Sequence, residues 1–113
     1  MIALEKVGEQ EGEAANFARV QRETILRASP TSVHIAFQQM QRGPHTDLAG
    51  CLKLEFRLVT RLLDQNDFYE GVRAVLVDKD QKPAWRPARL EEVDPAAIAA
   101  MFDVPLPDEL VLA

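Results

Sequence analysis

Acid, base or nucleophilic chemistry needs a nucleophile beside a base, two carboxylates across a set gap, or a metal-bound water. The residue types are present in this sequence, but not the spacing. His34 and His45 stand eleven residues apart with no HxxxH or CxxC companion, so a zinc set is not predicted and ordinary surface histidines are. Ser29, Thr31 and Ser32 surround Pro30, where hydroxyls cap a helix start rather than attack a substrate. Glu70 lies three residues after Asp67 in an acidic variant of the capping box, which accounts for its place without catalysis. The one cysteine, Cys51, has no partner for an internal disulfide and sits among apolar residues, as expected of a packed thiol in a reducing compartment. No catalytic residue and no metal ligand is predicted.

Anion capture is the chemistry that survives. Between Arg73 and Arg89 the cations Arg73, Lys79, Lys82, Arg86 and Arg89 face only Asp78 and Asp80, and from Leu90 onward there are acids but no Lys or Arg. Lys79 follows a helix, whose C-terminal end favours cations, and Lys82 and Arg86 follow on a loop able to present them to a phosphate. A solvated surface loop of mixed charge is the plainer alternative. Trp85 has two readings as well: an indole that stacks on an adenine, or an anchor holding a proline-flanked loop to the core.

Helices must position these groups, because the apolar residues recur at three- and four-residue steps and no strand alternation competes. A short first helix is predicted around Ile2 to Val7, bounded by Gly8 and Gly12. A second over 13–28 has a stripe of Ala14, Phe17, Ala18, Gln21, Ile25 and Ala28. Ser29-Pro30 starts a third over 30–42, which Gly43-Pro44 closes through a left-handed glycine. The longest spans 47–65 with Thr46 or Asp47 as cap. Its stripe of Leu48, Cys51, Leu52, Leu58, Val59, Leu62 and Leu63 is predicted to be the spine of the core. A helix over 67–78 presents Phe68, Val72, Val75 and Leu76 on one face. An extended Pro/Trp loop over 79–93, a short helix over 95–102 opened by Asp94-Pro95, and a tail over 104–113 complete the chain. The predicted fold is all-α, a single compact bundle of four to five helices spanning 1–113.

With 113 residues, one domain is the ceiling, and 47% hydrophobic with 27% charged residues is the balance of a globular chain. A net charge of −5 argues against nucleic acid as a partner, and no apolar run approaches the ~20 residues of a membrane span. The first residues lack the basic flank and apolar core of a secretory signal, so a cytoplasmic location is expected.

The words FYEGVRAVLVDKD and SPTSV resemble the C-terminal region of 3-hydroxyisobutyryl-CoA hydrolases, a branch of the enoyl-CoA hydratase/isomerase (crotonase) superfamily. The longer pattern RAVL-x-DKD-x-x-P-x-W-x-P favours that branch over hydratases and isomerases generally. The resemblance implies a thioesterase of branched 3-hydroxyacyl-CoA in valine breakdown, whose oxyanion hole and carboxylates lie in a preceding domain with no counterpart here. It further implies a C-terminal element resembling EG-x-x-AF-x-EK that contacts the adenosine-phosphate end of coenzyme A. Glu70-Gly71 falls on the EG and Lys79 on the lysine, while Leu76 replaces the aromatic and removes a stacking face. Lys79, Lys82 and Arg86 are thus expected to bind coenzyme A, which enters as part of the acyl-CoA substrate, with no separate cofactor. The expected partners are the absent N-terminal catalytic domain and further copies of the chain. A free-standing helical protein-interaction module is the alternative, and part of a hydratase or isomerase a second.

Overall fold

The structure is a computed structural model that describes residues 2–8 and 12–111, and every regular element among them is helical. In chain order these are α1 (Ile2–Gly8), α2 (Glu13–Arg27), α3 (Pro30–Arg42), α4 (Leu48–Leu62), α5 (Asn66–Val72) and α6 (Pro95–Asp103). 3-10 turns lie at Gly43–His45 and Leu90–Glu92, and a π-helical segment, Arg73–Val77, continues α5. No helix of the described residues is long and apolar enough to cross a membrane.

Local chemistry sets most boundaries. Gly12 enters α2 at φ 104°, a conformation that an L side chain resists. Ser29 caps α3 by accepting from the Ser32 amide, with Pro30 at the first helical position. Asp47 caps α4 by accepting from the Gly50 N–H at 2.8 Å. A Cβ at Gly50 would fall 2.5 Å from Thr46 Cγ2 and 3.0 Å from the capping Asp47 Oδ1, so any side chain there would have to displace the Thr46 methyl. Asp94 caps α6 through the Ala96 amide. The expected left-handed exit at Gly43 is not used. Gly43 stays right-handed at φ −53° and the chain tightens into the 3-10 turn, where Thr46 Oγ1 donates to the Arg42 carbonyl at 2.9 Å.

The core lies where α3, α4 and α6 meet. Ile35, Leu58, Val93, Ile98, Met101 and Phe102 form it, with Leu54 and Leu62 against its edge. Arg61 closes the end of α6 by donating to the carbonyls of Ala100 at 2.9 Å, Met101 at 2.7 Å, and Val104. Arg57 donates to the Phe102 carbonyl and at 2.9 Å to Glu109. Glu109 also accepts from the Leu106 amide at 2.7 Å, so the segment expected as a tail is tied to α4. The Leu106 amide, with the Arg57 guanidinium, holds the Glu109 carboxyl below its ordinary range.

Only part of the expected α4 stripe is the spine. Leu58 is buried and Leu62 half-buried, but Leu48, Leu52, Val59 and Leu63 are exposed, Leu48 by 75%, on a second apolar face that also carries Phe56. Cys51 is half-buried and outside the core cluster, because its turn faces the edge of the α3–α4 junction, where Sγ lies 3.9 Å from the Thr46 carbonyl. In α2 the buried residues are Ala15 and Ala18, while Phe17 is 65% exposed. That helix packs against α1, joined by Arg22 donating to Glu5 at 3.1 Å, and lies outside the core cluster.

Candidate functional site

The site is the loop that follows the π-helical segment, and Arg73 organises it. In that segment Asp78 N–H donates to the Arg73 carbonyl at 2.8 Å, five residues back, so each turn is wider than an α-turn. The chain then reverses, and the Gln81 amide returns to the Ala74 carbonyl at 3.0 Å. Lys79 and Gln81 take φ 55° and 58°, left-handed values that cost a non-glycine residue about 1–2 kcal/mol each. Strain of this kind persists only where surrounding contacts over-determine the backbone.

Those contacts come from one guanidinium. Arg73 Nε donates to both oxygens of Glu70, and Nη1 to Asp78 and Asp80, each at 2.8 Å. Nη2 reaches the Lys82 carbonyl at 3.3 Å, while the Lys82 amide donates to Asp80 Oδ1 at 2.9 Å. Arg73's bond to Glu70 leads its contacts with the three acids, which together raise its pKa further. The same guanidinium, ahead of the Ala84 amide, holds the Glu70 carboxyl below its ordinary range, and ahead of the Lys82 amide it does so for Asp80. Both loop acids therefore turn toward Arg73. The side chains of Lys79, Lys82 and Arg86 are exposed, and among the described residues none of these three side chains makes a hydrogen bond or close ion pair, although the Lys82 charge adds to the pull on Asp80.

A second anchor lies beneath the loop. Asp67 is buried, accepts from Ser29 Oγ at 2.5 Å and from the Arg86 amide at 2.8 Å, and so joins the start of α3, α5 and the loop. The capping box expected of Asp67 and Glu70 is not formed. α5 begins at Asn66, which puts Asp67 inside the helix, and the two carboxylates are taken by Ser29, Arg86 and Arg73, while Gln65, the residue before α5, makes no side-chain cap. Trp85 is the loop anchor: Nε1 donates to the Arg27 carbonyl at 2.9 Å, and the ring edge lies 3.4 Å from where a Cβ on Gly71 would stand. Leu76, at the aromatic's expected place, is 66% exposed.

Sequence reasoning counted Arg73 as one cation among five and missed its role. The signal was an arginine with acids three residues before and five and seven after. The Ser29–Asp67 pair spans 38 residues and had no local signal. Among the described residues no three His, Cys, Asp or Glu side chains are grouped to hold a metal.

Residues 1–102 match the family model described as enoyl-CoA hydratase/isomerase. The chain belongs to the enoyl-CoA hydratase/isomerase family. Its relatives place it near one branch. It is 44% identical over 90 residues to the mitochondrial 3-hydroxyisobutyryl-CoA hydrolase of Xenopus laevis, covering 80% of this chain and 23% of that protein. Against the Gallus gallus enzyme of the same name it is 48% identical over 77 residues, covering 68% and 20%. Against 3-hydroxyisobutyryl-CoA hydrolase-like protein 5 of Arabidopsis thaliana it is 42% identical over 91 residues, covering 78% and 24%. The chain thus spans about a quarter of the length of these curated relatives. An enoyl-CoA hydratase structure from Rhodobacter sphaeroides superposes with a TM-score of 0.80 at 32% identity, over 96% of this chain and 32% of that one. The all-α fold of this family member is accordingly that of a helical part of a crotonase-fold protein.

Proposed function

We propose that this chain is the non-catalytic helical part of a 3-hydroxyisobutyryl-CoA hydrolase-like acyl-CoA thioesterase of valine breakdown. A separate or preceding domain would supply the oxyanion hole and carboxylates. Lys79, assisted by Lys82 and Arg86, would meet the phosphate end of coenzyme A. The observation that carries this is the orientation of charge in the loop: Asp78 and Asp80 are bonded to Arg73, while the side chains of Lys79, Lys82 and Arg86 are exposed and make no hydrogen bond or close ion pair among the described residues. Trp85 holds the loop through Arg27 and Gly71, which favours a phosphate contact over adenine stacking by that ring. A cytoplasmic, reducing compartment is proposed from the single thiol.

The test is the Michaelis constant for 3-hydroxyisobutyryl-CoA of the complete enzyme carrying Lys79→Ala. An exposed charge contact contributes about 0.2–1 kcal/mol, so a rise of up to about fivefold is expected at low salt. It should fade as ions screen the contact within a Debye length of about 10 Å at 0.1 M. An unchanged constant at low salt removes Lys79 from the site.

A second reading, a helical module whose function is to bind another protein, is favoured by the exposed face of α4 formed by Leu48, Leu52, Phe56, Val59 and Leu63. It predicts tight protein binding with no response to coenzyme A.

A further inference from the structure

The lysines at this site do not stand alone in sequence, since Asp78-Lys79-Asp80 alternates sign and Lys82 follows two residues later. Free in solution, such a segment would neutralise itself, and an incoming phosphate would meet carboxylates as often as ammonium groups. The fold prevents that through one side chain. Arg73 uses Nε for Glu70, Nη1 for Asp78 and Asp80, and Nη2 for the Lys82 carbonyl, so its planar fork engages both loop acids and the loop backbone together. Only a guanidinium offers five fixed donors in that arrangement, whereas an ammonium of equal charge is a point with three rotating donors. Glu70 completes the arrangement from beneath: its side chain is 12% exposed and it also accepts from the Ala84 amide at 3.4 Å.

We propose that Arg73 is the positioning residue of the anion site, engaging the carboxylates of Asp78 and Asp80 so that the ammonium groups of Lys79 and Lys82 are left open to a phosphate group. This rests on the reading of Lys79 and Lys82 as phosphate contacts, but concerns how the loop becomes an acceptor rather than which phosphate ester it meets. The left-handed turns at Lys79 and Gln81 belong to the same device, because they let Asp78 and Asp80 reach one guanidinium from positions two residues apart. Arg73 itself, bonded to three carboxylates, is not the group offered to the ligand.

The experiment is an NMR titration of the 113-residue chain with inorganic pyrophosphate and, separately, with coenzyme A, following the Lys79 and Lys82 amides and the Asp78 and Asp80 side-chain carboxyl carbons. In the native sequence the lysine amides should move with pyrophosphate while the carboxyl carbons stay still, because they are already on Arg73. Carboxyl carbons that move with the same midpoint would overturn the proposal. Arg73→Lys keeps the net charge and removes the fork. Its pyrophosphate affinity should fall by about threefold or more, as two exposed carboxylates return to the lysines. Adding Asp78→Asn and Asp80→Asn to that variant should restore it. Arg73→Lys binding like the native chain, or no rescue by the asparagines, would overturn the positioning role, as would a native chain whose lysine amides ignore pyrophosphate. Coenzyme A binding no tighter than pyrophosphate would instead count against the coenzyme A reading and leave the role of Arg73 standing.

Discussion

Single side chains join parts of this chain that packing leaves loosely connected. Ser29 is the clearest case, since its hydroxyl accepts from the Ser32 amide at the start of α3 and donates to buried Asp67 38 residues away. One group thus serves as helix cap and as partner of a buried acid. Its removal should cost more than the ~1 kcal/mol of an ordinary cap, because an acid buried without its donor adds about 1–3 kcal/mol. Ser29→Ala is expected to lower stability by roughly 2–4 kcal/mol in urea unfolding. Adding Asp67→Leu should then cost less than the sum of the two single changes, and strict additivity would show that the pair does not interact.

At the scale of elements, the loop after α5 is held by charge and α4 by shape. Glu70 and Asp80 have carboxyls below their ordinary values, chiefly through Arg73, and a carboxyl depressed in the folded state adds stability that is complete above its unfolded pKa. That contribution is lost as pH falls through the folded value, so the window lies below the ordinary values of 4.5 for Glu70 and 3.8 for Asp80. Acid is therefore expected to release the loop before the core, which rests on apolar contacts among α3, α4 and α6. Trp85, the single tryptophan, reports on this directly. Its emission should shift to the red below pH 4.5 while helical circular dichroism persists, and a single coincident transition would show that the loop and core melt together.

The whole molecule is drawn out, 51 × 37 × 25 Å with a radius of gyration of 16.4 Å, against about 13 Å for a compact domain of this length. Long shape goes with exposed apolar side chains. Leu48, Leu52, Phe56 and Val59 on α4, with Leu63 just past its end, form an exposed stripe, and Phe68, Tyr69, Val75 and Leu76 are exposed on α5 and its π-helical continuation. Apolar patches beyond a few hundred Å² mark association surfaces, so the isolated chain is expected to self-associate through α4. Light scattering at about 50 µM, where an interface of roughly 8 kcal/mol is well populated, should show a dimer or larger species. Leu52→Glu with Val59→Glu should return it to a monomer without loss of helix. A monodisperse 12.7 kDa native chain would refute the association.

The amino-acid sequence by itself determined the helical class, the starts of α3, α4 and α6, and the kinship, because caps, prolines and three- and four-residue apolar steps act over short separations. Ser29-Pro30, Asp47 and Asp94-Pro95 are legible for that reason. The candidate cations were legible too, but not what distinguishes them from their acidic neighbours. Local rules made Asp67 and Glu70 a capping box, since three residues of spacing cannot reveal that Ser29, Arg86 and Arg73 compete for them. Nor could periodicity decide which of two apolar faces of α4 is core: Leu58 and Leu62 meet α6, whereas Leu52 and Val59, no less hydrophobic, meet solvent. Only the tertiary structure decided these points, because each depends on which distant group arrives first at a carboxylate or a methyl, and the chain encodes that arrival through packing rather than through neighbouring residues.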